Sequence, residues 1–142
     1  MTAVLRPILP LVICLALTSC KQSSKGPMSA TGVRLVSCKV DAGRIPSAQL
    51  NQGLQSAADA LSAVYAEARK TRPKLKGHLR GTAQVEASGT VRMFAERNSE
   101  FTPPEGKSVS EDFVGATMAG KWKFPPIGQD AMVSFDFELA PP

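Results

Sequence analysis

The chain has 142 residues and a formal net charge of +5, from 17 basic and 12 acidic side chains. This excess is too small to argue for nucleic acid, and one Trp, one Tyr and six Phe offer no platform for stacked bases. With one His, three Cys, no phosphate-binding glycine loop and no HExxH motif, the sequence predicts no enzyme, no cofactor, no metal site and no small-molecule substrate.

The N-terminal segment is typical of an export signal. It holds one charge, Arg6, and then an apolar run from Pro7 to Leu17 that is too short to span a bilayer. The run closes with Leu17-Thr18-Ser19-Cys20, which resembles the lipobox of a bacterial lipoprotein: an apolar residue, two small residues and cysteine. The resemblance implies removal of residues 1–19 and acylation of Cys20. The alternative is an ordinary secreted protein with a chance cysteine at the cleavage site.

The residues after the cysteine predict where the chain is held. Position 21 is lysine, whereas an aspartate there usually retains Gram-negative lipoproteins at the inner membrane, so the resemblance implies the outer membrane, facing the periplasm. The membrane, reached through the Cys20 lipid, is thus one predicted partner. Residues 20–32 predict a lipidated flexible tether, and residues 33–142 are enough for one small domain.

Cys38 is the one cysteine left after this processing, because Cys14 leaves with the signal and Cys20 takes the lipid. An internal disulfide is therefore excluded in the processed chain. Three interpretations of Cys38 stay open: a buried or half-buried apolar residue in a strand, an intermolecular bridge, or a reactive thiol.

The first elements of the domain are a strand and a long helix. Val33 to Val40 is rich in valine and suits a short strand. Ser47 stands where a helix N-cap is expected, and Pro73 ends the helix. One apolar stripe with spacings of three and four lies between them: Leu50, Leu54, Ala57, Leu61, Val64 with Tyr65, and Ala68. Gly53 weakens this helix by about 1 kcal/mol relative to alanine.

The middle of the chain predicts a β-hairpin. Leu75 to Ala87 alternates between apolar and polar side chains, Ser88-Gly89 is a turn signal, and Val91 to Arg97 returns. Residues 99–107, which contain two adjacent prolines and a glycine, predict a loop.

A second helix and a last strand complete the domain. Ser108 to Glu111 matches the capping-box pattern, and Pro125-Pro126 stops the apolar rows that follow. Ala131 to Leu139 alternates with its apolar residues inside. These elements predict an α+β fold with a three- to four-stranded, mainly antiparallel sheet and two helices packed on one face. The last strand pairs with the first hairpin strand, which makes Ala131–Leu139 one edge of the sheet and Val91–Arg97 the other. An alternative is that the strand from Val33 covers one of these edges.

Four short motifs, in order, resemble the AgmX/PglI C-terminal domain, a relative of the TonB C-terminal fold. They are Tyr65 within VYAEARKTRPKLKGHL, Gly89-Thr90-Val91, Lys121-Trp122-Lys123-Phe124-Pro125 and the aromatic closing strand, and together they span roughly residues 44–139. The resemblance implies a TonB-C-like fold and a non-catalytic interaction module of the bacterial envelope, of the kind found in gliding-motility proteins. The resemblance implies no catalytic residues.

The chain departs from this family at two positions. Members often carry cysteines where this chain has Val64 and Val114, and that pair is understood as a disulfide between the two helices. The resemblance therefore implies that the two valines meet in the core and that no redox role remains.

The resemblance to TonB-like domains places the candidate partner site on a sheet edge, where a peptide adds a strand. The last strand is the preferred edge, with the candidate residues Val133, Ser134, Phe135, Asp136 and Phe137. The alternative is that Asp136 and Glu138 are charges that protect the edge from pairing.

A second candidate is a basic patch between Glu67 and Glu86, a stretch that contains no acidic residue. Its members are Arg69, Lys70, Arg72, Lys74, Lys76 and Arg80. One interpretation is contact with anionic lipid, cell-wall polymer or an acidic partner; the other is a helix C-terminus favoured by cations, followed by a solvated turn.

Trp122 and Phe124 are interpreted as the anchor of a helix end on the sheet, with an exposed aromatic patch as the alternative. Taken together, the sequence predicts a lipid-anchored, non-catalytic protein-interaction module of the periplasm-facing envelope, in a motility or transport assembly whose partner it does not name. The alternative function is a basic-surface module that binds anionic lipid or cell-wall polymer.

Overall fold

The computed structural model describes residues 32–142. The predicted export signal, Cys20 and the tether up to residue 31 lie outside the described residues, so those boundaries stay predictions. The elements in chain order are β1 (Val33–Ala42), α1 (Ser47–Arg69), β2 (Lys76–Val85), β3 (Val91–Glu96), β4 (Glu100–Thr102), a 3-10 turn (Pro104–Lys107), α2 (Ser108–Met118) and β5 (Ala131–Leu139).

Helix α1 buries the stripe that its spacing predicts, except for Val64, which is half-buried. Side chains three or four residues apart lie on one face, and the buried ones are Leu50, Gly53, Leu54, Ala57, Leu61, Tyr65 and Ala68. Pro46 occupies the N-cap position, so the prediction that Ser47 is the cap is wrong by one residue. The helix ends at Arg69, before Pro73.

Helix α2 begins differently from its predicted start. The 3-10 turn runs directly into it, Lys107 at the N-cap position has helical backbone angles, and no side chain caps the helix. A capping box needs a non-helical N-cap residue whose side chain faces free amides. The predicted box at Ser108–Glu111 is therefore not formed, and the predicted loop at 99–107 contains β4 and this turn instead.

The sheet order is β1-β5-β2-β3, with β4 pairing with β2, and every strand pair is antiparallel. The α+β class, the hairpin and the pairing of the last strand with the first hairpin strand are confirmed. The sheet has five strands rather than three or four. The additional strand is β4, and the predicted strand from Val33, β1, covers one edge by pairing with β5 from Val33 opposite Leu139 to Ala42 opposite Met132.

Strand β5 is not an edge. Phe135 lies opposite Cys38 of β1 on one side and opposite Gly81 of β2 on the other, and the whole segment Val133–Phe137 is paired on both sides in this way. The prediction that Val133, Ser134, Phe135, Asp136 and Phe137 form a partner-binding edge is therefore wrong, because their backbone groups are used inside the sheet.

The core lies between the two helices and one face of the sheet. Alternate residues of β2 and β5 are buried towards the helices, among them Leu79, Ala83, Val133 and Phe137. The residues between them, such as Thr82 and Ser134, are half-buried on the opposite face. Both helices thus cover one face of the sheet, and the other face is polar.

Trp122 and Phe124 anchor the end of α2 to the sheet, and each is 1% exposed. The Trp122 ring stacks on Phe113 with 5.5 Å between centroids and meets Phe135 edge-on at 6.0 Å. The indole N–H donates to Thr117 Oγ1 at 2.8 Å, which satisfies the one polar atom of a buried ring. The prediction of an anchor is confirmed, and the alternative of an exposed patch is wrong.

Val64 and Val114 are half-buried and pack against the core on α1 and α2, two helices that contact each other. Both valines therefore lie on the side of their helix that borders the core. A direct contact between the two side chains stays a prediction.

Cys38 is buried in β1, as one of its three interpretations expects. Its sulfur is disulfide-bonded in this structure. The exclusion of an internal disulfide assumed a processed chain in which Cys14 is lost and Cys20 is acylated. For the processed chain that exclusion stays a prediction.

Candidate functional site

The outer side of β3 is the sheet edge with the most regular backbone among the described residues. Strand β3 pairs with β2 alone; its ladder has one register shift, between Val91 and Met93, and runs regularly from Met93 to Glu96. The other edge strand, β1, has two register shifts, after Leu35 and after Val40. Bulges of that kind disrupt the pairing geometry of an edge, so the sequence's second predicted edge, Val91–Arg97, is the better candidate for strand addition.

The direction of the free backbone groups follows from one hydrogen bond. The Arg97 amide donates to the Arg80 carbonyl at 2.8 Å, which makes these two residues a hydrogen-bonded pair. Residues of an antiparallel strand alternate between facing their partner and facing away. The backbone N–H and C=O groups of Phe94 and Glu96 therefore point away from β2, towards the open side of β3.

Helix α2 and the aromatic core hold this edge in place. Phe94 is buried, with its ring 5.1 Å from Phe113 of α2 and 5.3 Å from Phe135 of β5. Its neighbours Met93 and Ala95 are exposed on the opposite face. The edge is thus held in place on its core side, and Met93, Ala95 and Glu96 are exposed along it, which suits an added strand.

The basic turn after α1 is fixed by the single tyrosine of the chain. Tyr65 is fully buried, and its hydroxyl donates to the Leu75 carbonyl while the Leu75 amide donates to the Arg72 carbonyl at 3.0 Å. Burial raises the pKa of the Tyr65 hydroxyl, and the Arg69 guanidinium, 5.5 Å from the ring centroid, opposes part of that rise. These hydrogen bonds give the turn a defined conformation.

The charges of this turn are unequally available. The Lys70 ammonium lies 3.1 Å from a Glu67 carboxylate oxygen, so its charge is partly offset. Lys74 and Lys76 are exposed, and neither has a carboxylate within ion-pair distance among residues 32–142. Arg72 is half-buried beside them.

Arg80 does not belong to this basic patch. Its Nε donates to Asp136 at 3.1 Å and its Nη1 donates to the Asn98 carbonyl at 2.9 Å, on the polar face of the sheet. Glu100 lies 3.8 Å away. The chain places Arg80 near the lysines in sequence, but β2 carries it away from the turn and its charge is offset by Asp136.

The polar face of the sheet carries a network that the sequence reading missed. Asp136 accepts from Arg80 with one oxygen and lies 2.9 Å from His78 Nδ1 with the other. Ser134 hydrogen-bonds to Thr82 at 2.8 Å, and its hydroxyl also contacts Asp41. The signal that could have found these pairs is the register of β2 with β5, which places His78, Arg80 and Thr82 beside Glu138, Asp136 and Ser134.

This network lacks the geometry of a nucleophilic site. The Ser134 hydroxyl is engaged by Thr82 and Asp41 instead of His78, and within residues 32–142 no hydroxyl or thiol hydrogen-bonds to the ring of His78. The described part of the chain also has no cluster of three metal-ligating side chains. Over the same residues, no helix has the length and apolar character needed to cross a membrane.

No protein-family model matches the chain, and no curated protein matches it. A search of solved structures finds the NMR solution structure of the TonB-CTD of Helicobacter pylori, which is 18% identical with a TM-score of 0.42. The match covers 69% of this chain and 94% of that one. The resemblance to the AgmX/PglI C-terminal domain stays a prediction, and the α+β fold stated above comes from the chain's own strands and helices.

Proposed function

We propose that this chain is a lipid-anchored, non-catalytic protein-interaction module of the bacterial cell envelope, and that a partner peptide adds a strand along β3. The observation that carries the proposal is the regular outer side of β3, where the N–H and C=O groups of Phe94 and Glu96 point away from the sheet. Main-chain hydrogen bonds provide affinity in this mode of binding. The exposed Met93 and Ala95 side chains would contact the side chains of the added strand and so provide specificity.

The anchoring part of the proposal is supported by the sequence that precedes Cys20. A basic start, a short apolar run and a lipobox-like end together favour export and acylation, and the absence of an aspartate at position 21 favours the outer membrane, facing the periplasm. A motility or transport assembly is the setting that the family resemblance implies.

The edge is tested with two variants of one residue. Glu96→Pro removes the outward amide hydrogen, which an edge strand tolerates, whereas Glu96→Ala removes the exposed side chain and keeps that amide. Each full-length variant is captured from solubilised envelope membranes, and its partners are compared with those of the wild type by mass spectrometry. We expect Glu96→Ala to keep its partner and Glu96→Pro to lose affinity about fivefold to tenfold, the value of roughly one hydrogen bond.

Binding that survives in Glu96→Pro, or that is lost equally in both variants, would contradict strand addition at β3. Urea unfolding reports whether the proline variant has kept its fold. A second measurement does not depend on the proline: a photo-crosslinking side chain at the exposed Ala95 should capture the partner, and one at the exposed Ala48, at the start of α1, should not.

Binding to an anionic surface is a second candidate, favoured by one observation. Lys74 and Lys76 are exposed without an acidic partner among the described residues, on a turn that Tyr65 fixes. Attraction of this kind weakens steeply between low and physiological salt, whereas main-chain pairing changes little. Vesicles with anionic lipid should therefore release residues 21–142, which carry no acyl anchor, as salt is raised, and a Lys74→Ala, Lys76→Ala double variant of the same segment should bind them more weakly at low salt.

A further inference from the structure

A groove between the two helices is a feature that strand addition does not use. It has a volume of about 650 Å³, and residues of α1 and α2 supply most of its walls. Ala60, Ala63 and Val64 of α1 and Ala116 of α2 supply its apolar surface. Because three of these four side chains are single methyl groups, the backbone of another element can approach both helices closely.

The rim of the groove is acidic in a chain that is basic. Three carboxylates, from Asp59, Glu67 and Asp112, face one ammonium, from Lys121, whereas the chain as a whole carries +5. Lys70 offsets Glu67 at 3.1 Å, and Asp59 accepts a hydrogen bond from Gln55 at 3.0 Å. Asp59 and Asp112 have no basic side chain within ion-pair distance among residues 32–142.

The secondary structure on both sides of the groove selects the kind of occupant. The two walls are helices, whose backbone groups are hydrogen-bonded within each helix, so no strand can be added there. An occupant must bind through side chains, and small residues on the walls suit the ridges of a third helix. The acidic rim then favours cations on the flanks of that helix.

We propose that this groove binds an amphipathic helix of a partner protein that carries lysine or arginine beside a face of small apolar residues. Its apolar face covers Ala60, Ala63 and Ala116, and its cations lie against Asp59 and Asp112. This interface is separate from the β3 edge, because β3 contributes none of the lining residues. The chain then has two docking surfaces: one binds its partner through main-chain hydrogen bonds and the other through side-chain contacts.

The probe for this groove is a helical peptide of about 18 residues built from alanine and lysine, with a matched peptide in which glutamate replaces every lysine. Each peptide is titrated into the isotopically labelled full-length chain, and backbone amide shifts are followed by NMR. We expect the lysine peptide to shift the amides of Ala60, Ala63 and Ala116, and the glutamate peptide to leave them unchanged. The affinity should fall as salt is raised from about 20 to about 200 mM.

Adjacent acids on α2 provide a matched pair of variants. Asp112 lines the groove and Glu111 does not, although both are exposed residues in the first turns of the same helix. We expect Asp112→Lys to weaken binding of the lysine peptide about fivefold at low salt, and Glu111→Lys to change it less than about twofold. Ala63→Gln, a change at an exposed helix position, should fill the floor and weaken binding without unfolding the chain.

Four outcomes would overturn the proposal: equal binding of the two peptides, equal effects of Asp112→Lys and Glu111→Lys, shifts confined to β3, or self-association of the chain through the groove. The last would identify the occupant as a second copy of this chain. These outcomes are separable from the Glu96 test, which reports on the other docking surface.

Discussion

Gly53 and Gly115 both lie inside helices, yet their surroundings give them opposite roles. A Cβ at Gly53 would lie 2.0 Å from the ring of Phe124, which is buried beside Trp122. A Cβ at Gly115 would meet nothing within 4 Å. The segment after α2 packs directly on the α1 backbone at Gly53, so a side chain has no room there and the low helix propensity of glycine is tolerated. No neighbour requires glycine at position 115.

Gly53→Ala is expected to lower the free energy of unfolding by about 1–2 kcal/mol. The gain of about 1 kcal/mol in helix propensity is exceeded by the cost of displacing a buried ring. Gly115→Ala, the control, should raise the free energy of unfolding by about 0.5–1 kcal/mol. Urea unfolding of both variants measures this difference, and a stabilising effect of Gly53→Ala would contradict the close packing of Phe124 on α1.

The Tyr65 hydroxyl is expected to ionise at a higher pH than the hydroxyl of an exposed tyrosine. Burial raises the pKa of its hydroxyl above the ordinary value, so the folded chain holds this proton more tightly than the unfolded chain does. The resulting stability is complete below pH about 10 and is lost as the pH rises through the folded-state pKa. Because the chain has one tyrosine, its ultraviolet absorbance during an alkaline titration reports this residue alone.

Tyr65→Phe is the matching variant. It leaves the Leu75 carbonyl without its donor and should cost about 1 kcal/mol at neutral pH. In this variant the alkaline loss of stability that Tyr65 causes should disappear. An absorbance midpoint near pH 10 in the folded wild type would contradict the burial of the hydroxyl.

The element that decides the candidate site is β5. Its alternation correctly predicted the bounds Ala131–Leu139 and the inward face, because a period of two depends on neighbouring residues alone. The alternation contains no information on how many strands flank it. Pairing with β1, about a hundred positions earlier in the chain, turned the predicted edge into the interior of the sheet.

Ser134→Pro tests this placement. In a strand paired on both sides the proline removes a ladder hydrogen bond and should destabilise the fold by about 3 kcal/mol or more. Ser134→Ala, the control, loses the hydroxyl contacts with Thr82 and Asp41 and keeps the backbone. Circular dichroism and urea unfolding compare the two, and equal stability would mean that β5 is an edge after all.

At the scale of the whole molecule, the sheet separates three surfaces. The helices cover one face and leave the acidic groove between them, the opposite face carries the network around Asp136, and β3 lies at one side. Because the β3 edge and the groove share no residue, the two proposed partners would bind without competition.

The lipidation proposal predicts different effects for substitutions of Cys20 and Cys38. Cys20→Ala in the full-length chain should abolish incorporation of labelled palmitate and move the protein out of the membrane fraction, since each buried methylene of the anchor contributes about 0.8 kcal/mol. Cys38→Ala should keep both label and location. An intact N-terminal methionine on protein in the soluble cytosolic fraction would contradict export and acylation together.

Local properties of this chain could be predicted from the sequence: the α+β class, the face of α1 that is buried, the hairpin at Ser88-Gly89, and the anchoring role of Trp122. The sequence signal for each lies in side chains that are close in sequence. The tertiary structure alone decided that β1 covers β5, that Asp136 neutralises Arg80 and that two helices enclose an acidic groove. Those contacts join residues far apart in the chain, and their free energy appears only after the segments have met.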